Sequence, residues 1–493
     1  MFLKDWCKAF ALANPLSWLL LAVATYVFLA PNVDFAPELT WHDGQRLGQL
    51  ALLGMVTFLV LAIPSVSGQA LAAWQDLSGI VRWALTCTFG LGALSSLLAP
   101  LPQWAFLEWG MSLLLTVLAL GIAAGRRELG EKADTVLLLL LYATAMAYAV
   151  KTVAVYVSML LVGPDYGLGF DVRELYTGFS NIRFFGHVQT MLLPFLVLPV
   201  MWWGVTRARR VMLWSIPAVW WMLVIGSGTR GTWIALLIGS VAAYFFGGKS
   251  GRCWFRWQLN GMIFGAVAYV LFILLIPELL SRPTSFLHRA DDIISLSNRE
   301  LLWAASIDFS LGYPWLGVGP MHFSNVWNPV AAHPHNAVLQ WMAEWGVLPA
   351  LLLTLVFAIA GLSWALRVRA VTTARPETRL SMMAVALLVA LTGAAAQSMV
   401  DGVIVMPVSQ TLLAVFCGWA MGHYLGERAT PVVHGWKKRL VAAVIVLFAA
   451  GAVVNGVAPD ILHIAQREKV YFESRPPGEI LLPRFWAQGW IYK

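Results

Sequence analysis

Apolar stretches long enough to cross a lipid bilayer recur along almost the whole chain, from about residue 15 to about residue 458. A transmembrane helix needs about 20 predominantly apolar residues, because the hydrocarbon core is about 30 Å thick. About thirteen such stretches can be placed. The chain is 59% apolar and only 12% charged, whereas soluble domains are about 45–50% apolar and about 25% charged. We therefore predict an all-α polytopic membrane protein with about 12–13 transmembrane helices.

Lysine and arginine residues predict the orientation of these helices. Most of the 33 basic residues fall in the segments at one end of the predicted bundle, including Arg126, Arg127, Arg207, Arg209 and Arg210. Because cytoplasmic loops are enriched in Lys and Arg, this pattern places the N-terminus in the cytoplasm and the C-terminal tail outside. The net charge of +8 then reflects membrane topology, and we expect no nucleic-acid partner.

The spans divide the chain into five parts. The long outer loop contains RADDIISLSNRELLWAASIDF, whose alternation is typical of short amphipathic helices at a membrane surface. Long ordered loops on a helical scaffold commonly carry function. The C-terminal tail is a strap across the outer face, a docking segment for an acceptor, or a loosely ordered end. The parts are N-terminal transmembrane helices (1–150), central transmembrane helices (151–276) with an outer loop at 163–182, a large outer loop (277–335), C-terminal transmembrane helices (336–458) and an outer tail (459–493).

Three arginines fall at the outer side of the predicted bundle, namely Arg183, Arg230 and Arg299. An arginine near the end of a span is costly unless it is paired or faces a polar cavity. Guanidinium groups also bind phosphate in a bidentate manner. The three residues therefore predict a diphosphate site, although interfacial placement or pairing with carboxylates would explain each one singly.

The local sequence supports an anion site near two of these arginines. Arg183 precedes His187 by four residues, which puts both on one face of a helix. Arg230 follows the small residues of IGSG and stands at the start of the next span. Small residues permit a tight turn and close backbone approach, and a helix N-terminus favours anions.

The segment AAHPHNAVLQWMAEWGVLPALL ends the large loop and carries a second group of polar residues. A histidine at a helix start can stay neutral and accept a proton from a hydroxyl. A hydrogen-bonded interfacial histidine is the alternative interpretation. His-X-His lacks a third ligand for zinc, so we predict no metal site. The polar residues are His333 and His335, followed by Asn336, Gln340 and Glu344 on one helical face.

These segments, taken in order, resemble the O-antigen ligase / O-antigen polymerase superfamily of bacterial inner-membrane glycosyltransferases. The order is NIRFFGHVQT, an SGTRG turn before a span, and NRELLW followed by a GVG turn and HPHNAVLQWMAEWG. The resemblance covers about residues 150–425, and SGTRG and HPHNAVLQWMAEWG are its specific parts. It is closest to O-antigen ligases or protein O-oligosaccharyltransferases.

The resemblance implies a membrane glycosyltransferase (GT-C-like) fold with a long periplasmic loop over a cavity. The donor would be a glycan on undecaprenyl diphosphate, which Arg183, Arg230 and Arg299 would hold. His335 matches the family's essential histidine and would act as base toward the acceptor hydroxyl or position it. Families of this type need no metal, cofactor or nucleotide sugar. We expect His335, Arg230 and Arg183 to be catalytic, and the substrate-binding set to be Arg183, His187, Arg230, Arg299, His333, Asn336 and Gln340.

The sequence leaves the acceptor open. Lipid A–core is the first expectation, with transfer at the periplasmic face of the bacterial inner membrane. A protein hydroxyl, such as that of a pilin, is the second, and a growing lipid-linked glycan, as in polymerases, is the third. A lipid or solute transporter is the non-enzymatic alternative. Transporters commonly show inverted repeats and midplane charges, whereas the candidate residues here collect at the outer surface.

Overall fold

The computed structural model of the chain describes residues 14–161, 170–204, 206–282, 298–426, 435–474 and 482–491. In chain order its helices are α1 (Pro15–Asn32), α2 (Trp41–Ala62), α3 (Pro64–Gln75), α4 (Gly79–Leu98), α5 (Pro102–Leu129), α6 (Glu131–Leu161), α7 (Ile182–Trp203), α8 (Arg207–Ser227), α9 (Arg230–Phe246), α10 (Gly248–Leu279), α11 (Arg299–Gly312), α12 (Ala337–Trp345), α13 (Val347–Ala374), α14 (Arg379–Ser398), α15 (Pro407–Leu425), α16 (Trp436–Ile461) and α17 (Ile464–Glu473).

Eleven helices in the described ranges are long and apolar enough to cross a membrane. Helix α9 is a shorter apolar helix of 17 residues, and α15 has 19 residues. Together they account for the stretches that hydrophobicity predicts. The predicted all-α polytopic membrane fold is therefore confirmed.

Short connections make successive long helices antiparallel, so the loops alternate between two ends of the bundle. The basic end, as we call it, carries Arg126 at the end of α5, Arg207 at the start of α8 and Arg375 after α13. The opposite end, the site end, carries the turns before α7, α9, α11 and α12. The positive-inside rule predicts that the basic end faces the cytoplasm.

Part of each outer loop falls within the described ranges. Residues 172–176 form one 3-10 turn before α7, and 162–169 lie outside the described residues. In the large loop, α11 begins at Arg299 and α12 at Ala337. Of the stretch predicted to be amphipathic, residues 289–297 lie outside the described residues.

Small residues allow the central helices to pack closely. Gly239 on α9 lies against α14, where an added Cβ would be 2.7 Å from the carbonyl oxygen of Val389. Gly418 on α15 lies against α5 in the same way, with the carbonyl of Ala119 at 2.3 Å from such a Cβ. Close backbone approach at small residues is typical of helix packing in membranes, and it brings the turns at the site end together.

Residues 482–491 of the tail form a buried strap across the site end. The backbone N–H of Ala487 donates to Asp43 at 2.7 Å, and the indole N–H of Trp486 donates to Asp460 at 3.0 Å. The N–H of Ile491 donates to the carbonyl of Ser324 in the large loop. The strap therefore ties α2, α16 and the large loop together, which favours the first of the three interpretations of the tail.

Arg484 anchors this strap. Its guanidinium is 2.6 Å from Glu108 on α5 and 2.7 Å from Glu344 on α12. Both Arg484 and Glu344 are fully buried. Burial raises the pKa of Glu344 to about 7, and the charge of Arg484 opposes that rise. A buried carboxylate of this kind depends on its partner cation for charge balance.

We predict that Arg484→Met lowers the free energy of unfolding by about 3–5 kcal/mol, because the change leaves buried carboxylates without their counter-charge. Thermal unfolding in detergent measures the effect. Arg173→Met is the matched control, since Arg173 is exposed and paired only with Asp171, and exposed pairs contribute about 0–1 kcal/mol. Equal unfolding temperatures for the two variants would show that Arg484 does not anchor the strap.

Candidate active site

The three arginines singled out in the sequence meet at the site end, each at the start of a helix. Arg183 is the second residue of α7, while Arg230 and Arg299 are the first residues of α9 and α11. Burial lowers the pKa of Arg299; the nearby charges of Arg183 and Arg230 lower it further, whereas Asp401 raises it. The Nε of Arg299 is buried and has no hydrogen-bond partner among the described residues.

Local sequence explains how two of these helix starts come together. The Asn181 side chain accepts a hydrogen bond from the N–H of Arg183 and caps α7. Gly228 ends α8 in the left-handed conformation, with φ of 57°, which glycine adopts without strain. Gly186 on α7 then packs against α9, where an added Cβ would lie 2.5 Å from the hydroxyl of Thr232.

The histidine segment forms a tight turn before α12. His335 has a φ of 56°, which is uncommon for residues other than glycine and is often found at functional sites. The Nδ1 of His333 accepts from the backbone N–H of His335 at 3.4 Å, and the two rings pack edge to face at 4.2 Å. The turn therefore holds both rings in defined positions.

Asn336 connects this turn to the loop between α14 and α15. Its side-chain oxygen accepts from the N–H of Leu339 and caps α12, and its amide nitrogen donates to the carbonyl of Met399 at 3.1 Å. Both the oxygen and the nitrogen of this side-chain amide therefore form hydrogen bonds within the protein. The link brings residues 399–402 beside the two histidines.

Asp401 in that loop is the centre of the cluster, and sequence analysis missed it. Its Oδ1 is 3.3 Å from Nε2 of His187 and 3.5 Å from Nδ1 of His335. The same oxygen accepts a hydrogen bond from the N–H of Gly402 at 2.9 Å. The ring contacts lie at or beyond the limit for hydrogen bonds, so they act mainly as electrostatic contacts. An acid followed by glycine in a short loop is the only signal in the sequence, and many turns share it.

The surroundings set the charge of this carboxylate and of His335. Burial on its own would raise the pKa of Asp401, but contacts with His187 and His335 outweigh it and hold that pKa well below its ordinary range. Burial lowers the pKa of His335, and Asp401 opposes that shift. A neutral His335 with its proton on Nδ1, facing Asp401, leaves Nε2 able to accept a proton.

Two of the predicted residues have structural partners instead of facing the arginines. When the side-chain amide of Gln340 is oriented with its oxygen toward Arg484, that oxygen accepts hydrogen bonds from the two terminal nitrogens of the guanidinium at 2.8 and 2.9 Å. His333 is buried against Gly402, where an added Cβ would be 2.5 Å from its ring. The residues that the structure does bring together are Arg183, His187, Arg230, Arg299, His335 and Asp401, with the ring of His333 packed against that of His335.

This arrangement combines an excess of positive charge with a neutral imidazole. Guanidinium groups at helix starts are suited to an anion, and the imidazole beside a carboxylate is suited to accept a proton. Within the described ranges, no group of three His, Cys, Asp or Glu side chains has the arrangement of a metal site.

Comparison with known proteins gives one family match. Residues 216–355 match the family model described as O-antigen ligase (Wzy_C). The matched region contains Arg230, Arg299 and both histidines of the turn, whereas Arg183 and Asp401 lie outside it. No curated protein matches the chain. The match over residues 216–355 supports a relationship of this chain to the O-antigen ligase superfamily.

Proposed function

We propose that this protein transfers a glycan from undecaprenyl diphosphate to an acceptor hydroxyl by one inverting displacement. The family match supports glycan transfer of the O-antigen ligase type in general. The observation that carries the finer proposal is the convergence of three arginines with His335 and Asp401. These five residues come from five separate segments of the chain.

The arginines would bind the diphosphate of the donor. Three guanidinium groups at helix starts, close to the carboxylate of Asp401, are suited to the negative charge of a diphosphate diester. Arg299 is partly buried, and within the described ranges its Nε has no hydrogen-bond partner, so we expect this guanidinium to donate to a phosphate oxygen. In an apolar surrounding these charges would stabilise the negative charge that develops on the leaving diphosphate.

His335 would act as the base. As the acceptor oxygen forms its bond to the anomeric carbon, the bond from that carbon to the diphosphate oxygen breaks, and the hydroxyl proton moves to Nε2 of His335. Asp401 would hold the ring and stabilise the imidazolium that forms. Because diphosphate is a good leaving group, alignment and charge stabilisation contribute more than the strength of the base.

Lipid A–core is the acceptor that we favour, and the periplasmic face of the inner membrane is the location, because the basic end is predicted to be cytoplasmic. A protein hydroxyl is the second candidate, followed by another lipid-linked glycan. A transporter is the remaining alternative, and it would move the lipid-linked glycan without forming a new glycosidic bond.

We expect purified protein to transfer glycan from undecaprenyl diphosphate, and His335→Ala to abolish the transfer. Lipid A–core and a pilin peptide are offered separately, with EDTA present throughout, because no metal is expected to take part. His463→Ala is the matched control, since His463 is exposed at the same end of the bundle.

The product of that reaction identifies the acceptor. Glycosylated lipid A–core indicates a ligase, glycosylated peptide a protein transferase, and longer lipid-linked chains a polymerase. No new glycosidic bond with a donor of proven activity would contradict the proposal and favour transport.

We predict that Arg299→Gln lowers kcat/KM by about 30- to 1,000-fold, because removing one preorganised donor commonly raises the barrier by about 2–4 kcal/mol. Steady-state kinetics with varied donor measures the change. Arg173→Gln provides the control, because Arg173 is exposed and contacts Asp171 outside the cluster. A loss below threefold in Arg299→Gln would remove this arginine from the proposed site.

The rate should fall on the acid side as His335 becomes protonated. Burial lowers the pKa of His335 below its ordinary value of 6.5, so the neutral base is present above that lowered pKa and is lost as pH falls through it. Asp401→Asn removes the charge that raises this pKa. The variant should be slower, and the acid limb of its pH profile for kcat/KM should move to lower pH. An acid limb that moves to higher pH would contradict the pairing of Asp401 with His335.

A further inference from the structure

A chain of buried hydrogen bonds joins three helices around the candidate active site. Its members are Thr190 on α7, Gln397 on α14 and Thr232 on α9, and each is at most 1% exposed. The Thr190 hydroxyl donates to the side-chain oxygen of Gln397 at 2.7 Å, and the amide nitrogen of Gln397 donates to the Thr232 hydroxyl at 3.3 Å. Gln397 therefore connects α7 to α9 through the end of α14.

The chain of hydrogen bonds continues into the turn that carries Arg230. The Thr229 hydroxyl donates to the Thr232 hydroxyl at 3.0 Å, and the hydroxyls of Thr229 and Ser227 lie 2.8 Å apart. The Ser227 hydroxyl also accepts from the backbone N–H of Thr229 at 3.2 Å. Arg230 thus stands between two threonines whose side chains are connected, through Gln397, to α7 and α14.

Two glycines bring Gln397 close to the other parts of the site. An added Cβ at Gly231 would lie 3.8 Å from the amide nitrogen of Gln397 and 3.9 Å from Oδ2 of Asp401. An added Cβ at Gly186 would lie 3.8 Å from the same nitrogen and 2.5 Å from the Thr232 hydroxyl. Glycine at these positions permits close approach of the helices. The Gln397 amide therefore lies where α7, the start of α9 and the loop of Asp401 meet.

A buried glutamine can also serve helix packing alone, and Gln258 on α10 is an example in this chain. Its amide nitrogen donates to the carbonyl of Leu193 on α7 at 2.8 Å, and its oxygen accepts from the Trp221 indole at 3.3 Å. Leu193 lies ten residues after Arg183, about 15 Å farther along the helix. Polar side chains commonly form hydrogen bonds across helices in membranes. Gln397 differs from Gln258 because its hydrogen bonds lead to the turn of a proposed site residue.

We propose that Gln397 is a positioning residue, which holds the turn of Arg230 in a fixed place relative to Arg183 and Asp401. The inference rests on the proposed function, because it concerns how the arginines meet the diphosphate of the donor. Gln397 itself takes no part in bond formation. Preorganised donors stabilise developing charge when supporting residues fix them in place before the reaction. Two hydrogen bonds from one buried amide supply this constraint at the start of α9.

Steady-state kinetics of the full-length protein with varied lipid-linked donor test this role. Gln397→Leu keeps a side chain of similar size and removes both hydrogen bonds. Its kcat/KM for the donor should fall by about 10- to 100-fold, because a misplacement of about 1 Å can cost about 100-fold in rate. Gln258→Leu is the matched control, since it also removes two hydrogen bonds of a buried amide. It should lower the unfolding temperature similarly and leave kcat/KM near that of wild type.

Substitutions of Thr232 test the same contact from its other side. Thr232→Val keeps the shape of the side chain and removes the acceptor of the Gln397 amide, so it should lower kcat/KM for the donor as Gln397→Leu does. Thr232→Ser keeps the hydroxyl and should retain most of the wild-type value. If Gln397→Leu fails to fold, the comparison of these two variants still tests the proposal, and equal values for both would contradict it.

Binding of undecaprenyl diphosphate, measured by native mass spectrometry, separates this inference from the proposed function. Gln397→Leu should bind the lipid more weakly than wild type and Gln258→Leu do. If wild type transfers glycan, equal kcat/KM in Gln397→Leu and Gln258→Leu would overturn the positioning role. If wild type forms no glycosidic bond, the proposed transfer fails, and equal lipid binding by the two variants would overturn the positioning role as well.

Discussion

The carboxylate of Asp401 is the group on which the candidate active site depends. The cluster contains three arginines together with His187 and His335, and its guanidinium groups would repel one another in an apolar surrounding without a counter-charge. Asp401 provides that charge within 3.5 Å of both His187 and His335. Its charge also interacts with Arg299. Asp401 thus balances part of the positive charge of the cluster.

The position of Asp401 follows from a chain of contacts that begins in the tail. Arg484 binds Glu344 and Gln340 and so holds α12 against the strap. Helix α12 begins at the cap residue Asn336, which also binds the carbonyl of Met399. The loop that follows Met399 presents Asp401 to His335. Arg484 and Asn336 therefore hold the proposed catalytic pair, His335 and Asp401, in position, as active sites require.

The two ends of the bundle use charge in different ways. At the site end, the arginines stand at helix starts, where exposed N–H groups add to the attraction for an anion. At the basic end, Arg126 and Arg127 stand in the last turn of α5, where they also complement the partial negative charge of the carbonyls. Positive charge at the basic end therefore serves topology.

The sequence by itself determined the membrane fold, because about 20 apolar residues in a row have few other stable structures than a spanning helix. It also pointed to the arginines and His335 as candidate site residues, since their residue types and short motifs are local properties. It did not identify Asp401 or the structural role of Gln340, and it left the strap as one of three interpretations of the tail. Asp401 is 66 residues from His335 and 214 from His187, and Arg484 is 140 from Glu344. Only the tertiary structure decided these pairings, because contacts between distant segments depend on helix packing, which leaves no periodic signal in the sequence.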